Sequence, residues 1–273
     1  MSGDGARPAE AVFAIGDSWF NYFFTDLYRV LGDHGFAVER TAWPGDTLVS
    51  IAARTQVDPV QAGAPPQLSL LAELLAGSSG LPRAIVVSAG GDDVVALEAG
   101  QRRLVRLLRA ADDGGDPLID VEVGQLVDVE LRAALETVLA QITAMCRDRF
   151  CGRTVPILVH GYAYPVPDGR RGPFGAGPWL GPCFAAKGYG RDRLALRSTV
   201  MQVLIDRLHA MQVRVIDDGR FRHARHVDLR RVLMRPGEEH RTLWENELHP
   251  TRRGFEIIGA AFARALRSLP PAV

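Results

Sequence analysis

Hydrophobic positions along the chain fall into short solid runs separated by stretches of helical period. Ala11 to Gly16, Ala84 to Ser88 and Val155 to His160 are apolar on successive residues, the pattern of strands buried on both faces of a parallel sheet. Ala37 to Trp43 alternates like a further strand, and Val213 to Asp217 reads as a final one. Between these runs, residues 20–34, 94–110, 126–150, 191–211 and 251–269 repeat apolar side chains at three- and four-residue spacing and predict helices. Residues 48–82 are helical in outline with a Pro/Gly-rich interruption from Pro59 to Pro66, while Leu118 to Val123 has no decided period.

Strand and helix in alternation predict an α/β fold: one domain over residues 1–273, with five parallel strands covered on both faces by right-handed crossovers. No linker, composition shift or internal repeat divides the chain. Residues 1–10 form a polar tail. The long loop 161–190 reads as an insertion carrying Tyr162, Tyr164, Phe174, Trp179, Phe184 and Tyr189. Such a loop is either a packed lid or a segment that its aromatics pin to the body.

Charge removes several function classes. Lys plus Arg equals Asp plus Glu at 32 each, so no global field favours nucleic acid or an anionic membrane. The N-terminus lacks a signal-peptide pattern and no apolar run reaches membrane-spanning length, which gives the expectation of a soluble, cytoplasmic protein. Cys146, Cys151 and Cys183 lack zinc-type spacing and read as free thiols. Nothing in the sequence calls for a metal or a cofactor, and oligomeric state is silent.

Candidate chemistry centres on Gly16-Asp17-Ser18, where the first apolar run stops at a turn. A serine just past the carboxyl end of a buried strand sits where open α/β sheets place their ligands. A base is needed to activate it, and of the seven histidines His249 stands out, in the loop Trp244-Glu245-Asn246-Glu247-Leu248-His249 immediately ahead of Pro250 and a helix. His160 reads as a core histidine, Trp43 as core or acyl-pocket wall, and the basic run His223, Arg225, His226, Arg230 and Arg231 as a solvated face.

Four blocks occur in order: Gly16-Asp17-Ser18, Gly45, Gly90-Gly91-Asp92-Asp93 and Asn246-Glu247-Leu248-His249-Pro250. Together they resemble the SGNH hydrolases of the GDSL esterase/lipase superfamily, from residue 13 to about 260. The resemblance implies a flavodoxin-like three-layer α/β/α sandwich, with Ser18 as nucleophile, His249 as base and Gly45 as an oxyanion N–H donor. It also implies a small-molecule ester, or an acylated carbohydrate or lipid, as substrate.

Two positions depart from the family pattern. Asp92 stands where the family has the asparagine of its oxyanion hole, and Asn246 where it has the aspartate that orients the histidine. An ionised Asp92 repels an oxyanion and donates to it only when protonated. Asn246 can accept the His249 ring N–H but brings no charge; Glu245, Glu247 or a backbone carbonyl are the alternative orienters, each glutamate reading by default as a solvated loop residue. Two other functions stay open: a non-catalytic ligand-binding protein using the aromatic loop, and a metal-dependent phosphoesterase with Asp17, Asp92, Asp93 and His249 as ligands.

Overall fold

The computed structural model describes residues 10–55, 65–234 and 239–270. The polar tail and most of the Pro59 to Pro66 interruption lie outside the described residues. In chain order the elements are β1 (Glu10–Gly16), α1 (Leu27–Asp33), β2 (Phe36–Arg40), α2 (Leu48–Ala53), α3 (Gln67–Gly77), β3 (Ala84–Ser88), α4 (Gly91–Val95), β4 (Leu97–Glu98), β5 (Gln101–Arg102) and α5 (Arg103–Leu107). They continue with α6 (Asp120–Gly124), α7 (Arg132–Arg149), β6 (Ile157–His160), α8 (Gly181–Ala186), α9 (Leu194–Asp217), β7 (Ala224–Val227), α10 (His240–Leu243) and α11 (Arg252–Ser268).

Five strands form one parallel sheet in the order β2-β1-β3-β6-β7, and helices cover both faces to give a three-layer α/β/α sandwich. Helix α1 packs on α11, while α2, α3 and α9 gather on α7. Every residue of β3 and β6 is buried, which is why those strands read as solid apolar runs. The strand order reverses between β1 and β3, so the crevice beyond their carboxyl ends is the switch point where such sheets bind ligands.

Four elements differ from the sequence expectation. Val213 to Asp217 is the last turn of α9 rather than a strand, because Leu204, Leu208, Met211 and Val215 continue one buried helical stripe. The fifth strand is β7, inside the basic run read as a solvated face: Ala224 and Val227 are buried while Arg225 stays exposed on this edge strand. Residues 20–26 are not helical. Buried Asp26 caps α1 by accepting from Arg29 N, and it also accepts from Tyr22 N at 3.2 Å and Arg40 Nη1 at 2.7 Å, which holds the segment in an open turn. The expected helix over 94–110 is broken by the β4–β5 hairpin, while α6 and α7 join through a π-helical segment, Gln125–Leu131.

Candidate active site

The turn after β1 is built on a glycine. Gly16 has φ of 142°, and a Cβ there would stand 1.9 Å from the Ser88 carbonyl oxygen on β3, so a side chain is excluded by both conformation and space. Gln67 of α3 clasps the same glycine, donating to its carbonyl at 2.8 Å and accepting its N–H at 2.7 Å. The buried Asp17 carboxylate then fixes the turn, accepting from Trp19 N at 3.0 Å, from Ser88 Oγ at 2.9 Å and from the Tyr162 hydroxyl. Ser18 is thereby presented at the switch point with only 9% of its surface exposed.

His249 is delivered by the closed loop between α10 and α11. Trp244 and Pro250 bridge its base, Glu245 N donates to the His249 carbonyl at 2.9 Å, and Thr251 caps α11 by accepting from Gly254 N. Trp19 ties this loop to the β1 turn, its indole N–H donating to the Leu248 carbonyl at 3.1 Å. Each residue of the Ser18–His249 pair therefore has a neighbour in sequence bonded to the other side.

The pair itself is in contact. His249 Nε2 lies 2.8 Å from Ser18 Oγ, and His249 Nδ1 lies 3.1 Å from Asn246 Oδ1. Two backbone N–H groups, Leu248 and His249, donate to that Asn246 oxygen at 2.9 Å each, which fixes which side-chain atom is oxygen. Since the oxygen only accepts, Nδ1 carries the ring hydrogen, and Nε2 is left to accept from the Ser18 hydroxyl. Burial pushes the His249 pKa down to about 3, so the ring is neutral at neutral pH.

Tyr22 was not singled out by its sequence context, which reads it as part of a helical face. Its ring stacks on His249 with centroids 3.8 Å apart and planes 7° off parallel, and its hydroxyl accepts from Asn246 Nδ2 at 2.9 Å. The hydroxyl in turn bonds the Glu245 side chain. Glu245 thus stands three hydrogen bonds behind the imidazole, with Asn246 and Tyr22 between.

Glu247 is a different case, and corrects its reading as a solvated loop residue. Fully buried, it accepts backbone N–H bonds from Gly169 at 2.9 Å, Trp179 at 2.6 Å, Leu180 at 2.8 Å and Gly181 at 2.7 Å. Burial raises its pKa against the pull of those four bonds. It anchors the 161–190 loop, whose Tyr162, Tyr164, Phe184 and Tyr189 are also buried. Trp179 meets the His249 ring edge to face at 5.6 Å. Phe174, 84% exposed, clusters with Phe23 and Phe24 on the rim, at centroid separations of 5.5 and 6.2 Å.

Gly45 and Asp92 face the same space as Ser18 and His249. An open cavity of about 540 Å³ is lined by all four, together with Tyr22, Phe23 and Trp179. A second, narrow one of about 50 Å³ is lined by Ser18, Asp92 and mainly apolar side chains, among them Val127, Leu131, Leu204 and Leu208. Gly45, with φ of 85°, directs its N–H to the Asp92 carboxyl.

Three of the four side chains weighed as metal ligands are committed elsewhere. Asp17 binds its turn and Tyr162, Asp93 accepts from Leu48 N and Val49 N at the start of α2, and both His249 nitrogens are used. Among the described residues no group of three or more His, Cys, Asp or Glu side chains is arranged to hold an ion. Burial lifts the Asp17 and Asp93 pKa values to about 6 each. His160 packs inside the core, stacked on Trp19 at 5.5 Å. Among the described residues no helix is long and apolar enough to cross a membrane.

Solved structures of the same architecture cover almost the whole chain. The lipase Lip_vut3 from a goat rumen metagenome is 12% identical, with 94% of this chain and 97% of that one aligned and a TM-score of 0.54. The carbohydrate acetylesterase Est24 from Sinorhizobium meliloti is 14% identical over 96% of this chain and 100% of its own, with a TM-score of 0.52. The fold is that of the SGNH hydrolases. A member of the lipolytic G-D-S-L family from Veillonella parvula DSM 2008 is similar in the same way, at 11% identity, 96% and 100% coverage and a TM-score of 0.50. No protein-family model matches the chain, and no curated protein sequence does.

Proposed function

We propose that the protein is a serine ester hydrolase working through an acyl-enzyme on Ser18. The observation that carries this reading is the 2.8 Å bond from Ser18 Oγ to a neutral His249 whose tautomer Asn246 fixes. Ser18 Oγ attacks the ester carbonyl carbon as its proton passes to His249 Nε2. The tetrahedral adduct collapses, the C–O bond to the alcohol breaks, and the alcohol leaves with the proton held by His249. Water then repeats the sequence on the acyl-enzyme and frees Ser18. The Gly45 N–H, directed to the Asp92 carboxyl in the free protein, is the backbone donor that turns to the oxyanion once substrate is bound, of the kind worth about 3–4 kcal/mol in a transition state.

The imidazolium formed in each step has no carboxylate beside it. In its place the structure offers the Asn246 amide dipole and the face of the Tyr22 ring, which attracts a cation. Asn246→Asp supplies the missing charge, raises the His249 pKa and moves the acid limb of kcat/KM upward from about 3 toward the ordinary histidine range. A pH–rate profile measured on both proteins checks this; an unmoved limb contradicts the assignment of His249 as base.

The two cavities meeting at Ser18 support a substrate with a small acyl group and a larger alcohol. A space of about 50 Å³ holds only a few heavy atoms, while about 540 Å³ with aromatic walls takes a sugar- or aryl-sized group. The test is a p-nitrophenyl ester series: acetate and butyrate are turned over in preference to octanoate and longer chains. The aromatic rim of Phe23, Phe24 and Phe174 also fits a binding protein without chemistry; ligand-dependent stabilisation with no turnover across that series is the result that selects it.

A further inference from the structure

Asp92 follows β3 at the switch point, lines both cavities beside Ser18, and is half-buried as a residue. Its Oδ2 is covered from solvent and has no hydrogen-bond partner, while the Gly45 N–H bonds the carboxyl. A covered carboxylate oxygen without a donor is an arrangement an ion does not tolerate and a neutral acid does.

The surrounding charges point the same way. Asp17 from the β1 turn, Asp46 ahead of α2, the adjacent Asp93 and the Tyr162 phenol after β6 all face it, and all are acidic. The cations of the open cavity, Arg29 and Arg40, are bound to Asp26, and Arg103, which acts on Asp93, is paired with Glu98 and Glu130. His249, across the cavity, is neutral. Among the described residues no ion pair reaches Asp92.

We propose that Asp92 is held as the neutral carboxylic acid and that its O–H receives the oxyanion of the tetrahedral intermediate, joined by the Gly45 N–H once the oxyanion draws that donor off the carboxyl. This rests on the ester-hydrolase reading. As Ser18 Oγ bonds the carbonyl carbon, the carbonyl π pair moves onto oxygen and the serine proton goes to His249; Asp92 donates a hydrogen bond and keeps its proton. Burial and the three neighbouring carboxylates push its pKa well above the usual carboxylate range. The Asp92 and Asn246 departures are then one compensated exchange: both groups are neutral, one donating to the oxyanion and the other accepting from the base.

The sign of the pH dependence follows. Protonated Asp92 is the working form, so kcat is maintained below its pKa and falls as pH rises through it. An amide donates at every pH. The test is the pH profile of kcat for wild type, Asp92→Asn and Asp92→Ala on p-nitrophenyl acetate, with infrared difference spectra for a protonated carboxyl. We expect an alkaline limb in wild type that Asp92→Asn abolishes, and a loss of about 100- to 1000-fold in Asp92→Ala. The protonated-acid carbonyl band should be present in wild type at pH 7 and missing from Asp92→Asn. Ester turnover with the limb intact in Asp92→Asn, or no such band, overturns the assignment of Asp92 alone. Absence of both turnover and Ser18 labelling in wild type overturns the hydrolase reading and this proposal with it.

Discussion

Ser18→Ala is expected to lower ester turnover by at least about 10⁴-fold while leaving the fold intact. The side chain is nine-tenths buried, but its hydroxyl bonds only His249, so removing one oxygen costs the structure little. The turn that presents it is held by Asp17, Gln67 and Trp19, none of which contacts that oxygen. His249→Ala should lose a similar factor, and the double variant little more than either single one, because the two groups act as a unit. The measurement is kcat on p-nitrophenyl acetate with circular dichroism and thermal melting alongside. Activity unchanged in Ser18→Ala contradicts the mechanism.

The largest effect on stability is expected at Glu247. Truncation to alanine leaves four backbone N–H groups without their acceptor inside the protein, a cost of about 3–5 kcal/mol. Glu247→Gln should fall between, since one amide oxygen replaces two acceptors and its NH₂ faces donors. The damage spreads to the site because Trp179, whose N–H is one of the four, packs on the His249 ring. Urea unfolding midpoints give the stability, and kcat below the transition gives the effect on the site. A midpoint unchanged in Glu247→Ala contradicts the anchoring role.

Much of this site can be read from sequence, for physical reasons that also say where reading stops. The strands beneath Ser18 and Asp92 are buried on both faces, so their runs are solid and their ends mark the switch point. Ser18 and His249 stand at turns announced by glycine and proline. Strand β7 is hidden in sequence because it is four residues long, with exposed Arg225 and half-buried His226 between buried Ala224 and Val227, too short and too polar to show an alternation. The final turn of α9 imitated a strand because Val213, Val215 and Ile216 are β-branched; packing along the helix overrides that preference.

Glu247 reads as solvated in sequence because the N–H groups that satisfy it lie 66 to 78 residues away. The role of Tyr22 is hidden in sequence for a similar reason. Its ring reaches His249 only because Asp26 prevents residues 20–26 from continuing α1. Sequence spacing reported the groups that do the proposed chemistry, while the groups that support them are defined by contacts between distant segments.

In the proposed mechanism Ser18 is a nucleophile activated by His249. This is tested most directly by treating the folded protein with a fluorophosphonate at neutral pH and mapping the adduct by peptide mass spectrometry. One adduct is expected, on Ser18, formed far more slowly in His249→Ala; a folded protein that takes up no label, or takes it elsewhere, contradicts the mechanism.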